Sequence, residues 1–387
     1  MTVANSAREA VSPRRVLAVT GAAHALHDGY TDLILVLLPV WQAQFALSYG
    51  ALALLRGAFS GMMAALQVPA GKLAERWGHA VVLAAGTALM ALGYAVGGLS
   101  GGMAGLFLGL ALGGAGASVQ HPIGSAAVAR AYGGNARGPL GVYNFSGDLG
   151  KAAIPAAVAL LLTWMSWRLA LFGLAAFAGV AALVILLLMP MTTARIAEEK
   201  YAEGHGRGGF GLLFAIGVLD TGVRMGFLTF LPFLLKDKGA DLPLIGTALA
   251  LVFLGGAAGK FLCGWLGDRL GVKGTVLATE TGTAAMIAAV VFLPLLPSLI
   301  VLPLLGAMLN GTSSVLYGTV PELAKAGKIE QAFALFYTGN IGSGALSPVL
   351  YGLLGDATGP VWATFATAVT ALAICPLMLA LAPKLGD

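Results

Sequence analysis

Apolar residues run along this chain in stretches of about twenty, the length that crosses a bilayer as a helix, and short polar breaks part them. Twelve such stretches begin near Val16, Gly50, Ala80, Met103, Pro139, Arg168, Gly211, Pro243, Thr275, Ser298, Gln331 and Val361. The two-residue alternation of a strand is absent, which argues against a membrane barrel. The 387 residues leave little beyond twelve spans of ~20 residues and their loops. The expected fold class is an all-α membrane protein with twelve transmembrane helices.

Composition sharpens this pattern. The chain is 58% hydrophobic and 10% charged, with mean hydropathy +0.88. Soluble domains carry roughly 25% charged residues, so lipid must replace water over most of this surface. A soluble enzyme, a secreted protein and a disordered chain are excluded. The 56 glycines are about twice the usual share and suit close helix packing in a bilayer. Gly93, Gly97, Gly101, Gly105, Gly109 and Gly113 recur every fourth residue, as expected where the third and fourth spans pack tightly. Two cysteines in apolar stretches, Cys263 and Cys375, offer neither a disulfide framework nor a thiolate metal cluster.

The isoelectric point near 9.2 reads first as topology. With the N-terminus inside, fifteen of the 22 bases fall in inner loops or tails and three outside. Arg56, Lys151, Arg224 and Lys260 remain within spans. This follows the positive-inside rule, and nucleic acid is not an expected partner. Both termini are expected in the cytoplasm, with the chain multi-pass in a bacterial-type inner membrane. Bases ahead of the first apolar run, and Ala23-His24-Ala25, imitate a cleaved signal. The run continues to Trp41 through polar residues unsuited to a signal core, so an uncleaved span is expected. The longest polar stretch, Met191 to Gly209, reads as an inner linker between halves 1–190 and 210–387.

An internal repeat supports the division. Gly71-Lys-Leu-Ala-Glu75-Arg76-Trp-Gly78 follows the second span, and Gly264-Trp-Leu-Gly-Asp268-Arg269-Leu-Gly271 follows the eighth. The offset is half the chain, and Asp28 and Asp220, Pro39 and Pro232, and Gly147 and Gly339 keep nearly the same offset. The repeated Gly-x-Leu-x-acid-Arg-x-Gly resembles the loop signature of the major facilitator superfamily. The resemblance covers the whole chain. It implies two pseudo-symmetric six-helix halves that rock about a midplane site, with the two acid–Arg loops latching an inner gate. A narrower likeness rests on His24-x-x-His27-Asp28-Gly-Tyr, Leu37-Leu38-Pro39, Gln120-His121-Pro122 and Gly147-Asp148-Leu149-Gly150. These resemble the fosmidomycin-resistance-type efflux branch, with His27 in place of Asn and Gln120 in place of an aromatic. That likeness implies proton-coupled efflux.

A charge at bilayer depth costs ~2.5–3.5 kcal/mol even on the lenient insertion scale, so the charged residues within spans are functional candidates. His24, Asp28 and Thr31 share one face of the first span. Asp28 is the expected proton-coupling site, with His24 or His27 modulating it and Asp148 as a further proton site; a hydrogen-bonded packing role is the bland alternative. Asp148 with Lys151, and Asp220 with Arg224, have the spacing of same-helix ion pairs, read either as simple neutralisation or as a switch. Arg56 is set against Asp32 at the outer gate, and Lys260 against Glu280 above the inner loop. The resemblance places spans 1, 4, 7 and 10 around a central cavity. Several bases there suit an anionic or zwitterionic small molecule. Arg224 and Lys151 are the leading substrate contacts, followed by Arg56, His121, Gln120 and Asp220. Tyr143, Asn144, Asn310, Tyr317, Tyr337 and Asn340 are candidate lining residues or interhelical hydrogen-bonding groups.

His24, His27, Asp28 and His121 have the chemistry of a transition-metal site, but their spacing fixes no common centre, and no metal or cofactor is assigned. No nucleophile–base set or nucleotide-binding motif occurs, so neither an enzyme nor an ATP-driven pump is expected. The chain reads as a monomeric secondary transporter using proton-coupled alternating access, with efflux preferred. Proton-coupled uptake of a small carboxylate is the alternative within transport, and a ligand sensor without flux is the alternative outside it.

Overall fold

The computed structural model describes residues 12–189, 208–325 and 328–385. Among them the chain is helical and contains no strand. The first three crossings are α1 (Pro13–Phe45), α2 (Tyr49–Trp77) and α3 (His79–Leu99). The fourth is divided into α4 (Met103–Ala117) and α5 (Gln120–Tyr132). Pro122 causes the break, because it has no N–H to offer the Ser118 carbonyl one turn earlier. Then come α6 (Arg137–Leu161), α7 (Trp167–Leu188) and α8 (Phe210–Asp237). α9 (Leu242–Phe292) crosses twice, turning at Gly271, whose φ of 66° ends one helical run and begins the next. α10 (Leu295–Leu323), α11 (Ile329–Thr358) and α12 (Pro360–Leu381) complete twelve crossings. Each starts within a few residues of its expected place.

Nine of these crossings are long and apolar enough to span a membrane by length and composition. The exceptions among the described residues are α1, α6 and α11. The linker expected at 191–209 lies, as far as Arg207, outside the described residues.

The repeat is visible in packing. α6 crosses α1 where Gly150 lies against the Ala25 carbonyl. In the second half α11 crosses α8 where the Ser343 hydroxyl donates to the Val218 carbonyl at 2.5 Å. Both positions are displaced by the same half-chain offset. The glycine stripe also packs as expected. A Cβ on Gly93 would strike the backbone of Gly109 and Gly113, so α3 and α4 meet backbone to backbone. Gly101 has no neighbour within 4 Å where its Cβ would lie, so the stripe stops short of the α3–α4 turn.

The halves close on one another at the end remote from the chain termini. The α2 N-terminus leaves backbone N–H groups without intrahelical partners. The Ser48 hydroxyl accepts from Ala51 N at 3.2 Å. Two more are taken from the opposite half: the Asp356 carboxylate, on α11, accepts from Tyr49 N at 2.6 Å and Gly50 N at 3.0 Å. Its negative charge also complements the positive end of the helix dipole. Tyr49 packs edge-on against Phe233 at 5.1 Å. Closer to the termini, two side-chain bridges between the halves are Lys260 to Asp148 and Tyr337 to Gln67.

Replacing Asp356 with Ala removes a cap and should lower stability by about 0.5–2 kcal/mol. It should also loosen this seam, so that a thiol introduced by Ala53→Cys, at a fully buried α2 position, reacts faster with a small maleimide. Unchanged labelling would show that Asp356 does not hold the seam.

Candidate functional site

The site grows from α1. Asp28 is 6% exposed, and three nitrogen bases from three helices reach it. Lys151 Nζ of α6 lies 3.1 Å from Oδ2, His24 Nε2 lies 3.3 Å from Oδ2, and His121 Nε2 of α5 lies 3.6 Å from Oδ1. His24 is fixed from behind. Its Nδ1–H donates to the Tyr143 carbonyl at 2.8 Å, and its ring stacks on Tyr143 at 4.2 Å. Tyr143 and Gln120 are buried support for this ring; Gln120 Nε2 donates to the Thr20 carbonyl at 3.3 Å and meets the Tyr143 hydroxyl at 3.4 Å. His27 points elsewhere, pairing through Nε2 with Thr87 of α3 at 2.9 Å. It lies one position from the face of α1 that carries His24 and Asp28.

The expected same-helix ion pairs do not form. Lys151 turns to Asp28, and Asp148 receives Lys260 from the other half at 2.6 and 2.7 Å. Lys260 is therefore not the partner of Glu280. Glu280 instead lies within interaction range of Asp220, and Thr312 beside it donates to the Thr279 hydroxyl at 2.7 Å. Arg56 lies 3.8 Å from Asp32. Arg56 also donates across the halves to the Met225 carbonyl at 3.1 Å and the Thr229 hydroxyl at 2.8 Å.

Arg224 is left over. Asp220, one turn before it, lies outside ion-pair distance, and the buried Nε of Arg224 has no hydrogen-bond partner. Its side chain borders a cavity of about 270 Å³ between the halves. Asp28, Asp32, Arg56, His121 and Lys151 line one side; Arg224, Tyr317, Tyr337 and Asn340 line the other. The volume lies just below the roughly 300–1,000 Å³ of drug-sized pockets, which fits a small solute.

Other expected residues fall outside this cavity. Asn310 donates to the Gly306 carbonyl at 3.0 Å within its own helix and packs on Gly256. Asn144 is exposed on α6. Of the loop latch, Glu75 is half-buried, Arg76 is exposed, and Arg269 stacks on Trp265 at 4.2 Å. The Asp268 side chain lies outside the described residues. Asp356, Thr229 and Gln67 were not expected to bridge the halves. Only Asp356 left a trace in the sequence, as a lone acid near the end of an apolar span.

Comparison with known proteins decides the family. The sequence profile of the Major Facilitator Superfamily matches residues 20–210 and 212–385. The chain belongs to that superfamily. The transporter is 23% identical over 379 residues to the fosmidomycin resistance protein of Escherichia coli (strain K12), covering 92% of this chain and 91% of that one. It is 24% identical over 364 residues to the uncharacterized MFS-type transporter YfnC of Bacillus subtilis (strain 168), covering 89% and 87%. In fold it resembles a bacterial homolog of the human lysosomal transporter Spinster, in an inward-facing and occupied conformation. The TM-score is 0.81 at 15% identity, with 97% of each chain covered. It also resembles the nucleoside transporter NupG, with TM-score 0.80 at 11% identity over 95% and 99% of the chains. The protein is thus a multi-pass membrane transporter and not an enzyme.

The Asp148–Lys260 bridge gives a test of how the two halves are coupled. Asp148→Asn and Lys260→Met should each lower the thermal unfolding midpoint, since each strands the other's charge. The double variant should be more stable than the sum of the two losses, by a coupling energy of about 0.5–3 kcal/mol. Additive losses would mean that the bridge contributes nothing.

Proposed function

We propose that this protein is a secondary active transporter that moves a small anionic or zwitterionic organic molecule across the inner membrane by proton-coupled alternating access, in the direction of export. Arg224 carries the substrate class. Its Nε is buried without a hydrogen-bond partner while the side chain borders the cavity, and an anion entering there would meet a donor fork shaped for carboxylate or phosphonate. The same molecule would face Lys151 and His121 across the cavity, touching both halves. Such contacts are required, because a ligand shifts a conformational equilibrium only by interacting differently with its two states. The positive-inside bias supports a chain with both termini in the cytoplasm, halves 1–190 and 210–387, and the linker 191–209 between them. It acts as a monomer.

For the coupling proton, the Asp220–Glu280 pair is the better seat than Asp28. Asp28 is already balanced by Lys151 at 3.1 Å. Asp220 and Glu280 are 4% and 2% exposed, and two neighbouring buried carboxyls of like charge favour holding one proton between them. With one proton, the pair and Arg224 together are neutral. A second proton leaves Arg224 uncompensated and ready for an anion. Export is supported by the likeness to a resistance protein. The alternative, import of a small carboxylate together with a proton, is favoured by this trio, because in it proton and anion promote each other's binding.

Flux into proteoliposomes under an imposed pH gradient tests the reading. Exchange of substrate for protons accumulates a small anion on the acidic side, whereas joint movement accumulates it on the alkaline side. Arg224→Gln should reduce flux about tenfold or more, equivalent to roughly 1.4 kcal/mol of lost interaction. Asp220→Asn should leave binding measurable and abolish the response to pH. Binding without flux under any gradient would make the protein a sensor and end the transport reading.

A further inference from the structure

We propose that His24, Asp28 and His121 form a binding site for a divalent transition-metal ion, with an open coordination position facing the central cavity. His24 Nε2, His121 Nε2 and an Asp28 carboxylate oxygen all lie within 4.8 Å of one another. His24 Nε2 stands 3.3 Å from Oδ2 of that carboxylate and His121 Nε2 stands 3.6 Å from Oδ1. Ligand atoms bonded at about 2.0–2.2 Å around a tetrahedral zinc ion stand roughly 3.3–3.5 Å apart, so the nitrogens and the carboxylate are already close to coordination spacing.

His24 carries the inference. Its Nδ1 faces a backbone carbonyl, which can only accept, so Nδ1 bears the proton. In the neutral ring Nε2 then presents a lone pair. That atom is buried, has no hydrogen-bond partner, and faces a carboxylate oxygen. Two lone pairs at that distance repel unless a cation lies between them. Imidazole oriented through Nδ1–H onto a carbonyl, with Nε2 free, is the usual outer-shell arrangement of a metal-bound histidine. A Cβ on Gly147 would lie 2.7 Å from Asp28 Oδ2 and 2.8 Å from His24 Nε2, so glycine keeps this space clear.

The third ligand, the His121 side chain, is 36% exposed and borders the cavity, giving an ion a route in and a face for water or a solute oxygen. Imidazole and carboxylate together suit zinc, cobalt, nickel or copper. Lys151 occupies the charge position that the ion would take. Metal and Lys151 therefore compete for Asp28. The inference is independent of the transport reading, since it requires neither an organic anion nor a gradient.

The test is titration of the purified, tag-free protein with Co²⁺, followed by displacement with Zn²⁺. One equivalent should bind, with the ligand-field absorption of a four-coordinate ion. His121→Ala should weaken binding about tenfold or more, with His121→Gln as the substitute if the alanine variant unfolds early. Lys151→Met should tighten binding about tenfold by removing the competing charge. A wild-type protein that takes up no cobalt would show that His24 is simply an imidazolium paired with Asp28. A cobalt spectrum unchanged in both His121 variants would also overturn the site.

Discussion

A charge carried into a bilayer must meet its opposite within the fold, and this one requirement organises the transporter. Four bases and five acids lie within the spans. Three of the bases are balanced by acids on other helices: Lys151 by Asp28, Arg56 by Asp32, and Lys260 by Asp148. Each pairing ties two helices together, and the last ties one half to the other. The fourth base, Arg224, borders the cavity and has neither Asp220 nor Glu280 at ion-pair distance. The charge that the fold leaves open therefore lies on the wall of the space where a solute would sit.

The contacts between halves are of different kinds along the seam. At the end remote from the termini, Asp356 caps α2 through two backbone N–H groups, and aromatic rings pack beside it. At mid-depth, Arg56 reaches the Met225 carbonyl and Thr229. Nearer the termini, the Lys260–Asp148 bridge and the Tyr337–Gln67 hydrogen bond join side chain to side chain. Rocking the halves apart at the far end would uncap a helix and break the Arg56 hydrogen bonds to Met225 and Thr229. A solute binding across the cavity can offset such losses only if it gains contacts in the new arrangement.

The architecture was legible in the sequence because it follows from apolar length, loop charge and a repeat, all of which are local or periodic. Partner choice was legible only in part: Arg56 meets Asp32 as the sequence suggested, but Lys151 and Lys260 take different partners. Residues three or four apart share a helix face, so Asp148 with Lys151 and Asp220 with Arg224 were the natural guesses. Tertiary packing brought different partners closer, since Lys151 and Lys260 have stems long enough to cross to a neighbouring helix. His27 differs from His24 only by position on the helix face, yet it turns to Thr87 rather than to Asp28. Asp356 was missed because capping across two halves depends on where α2 begins relative to α11, and no periodicity encodes that.

The central claim is that Arg224, which no carboxylate meets at ion-pair distance, defines a site for an anion. The most direct measurement is a thermal-shift series on the purified protein with small carboxylates, phosphonates and amphipathic cations. The account predicts stabilisation by at least one class of anion and none by those same anions in Arg224→Ala. Stabilisation by cations alone, or by anions equally in the variant, would contradict it.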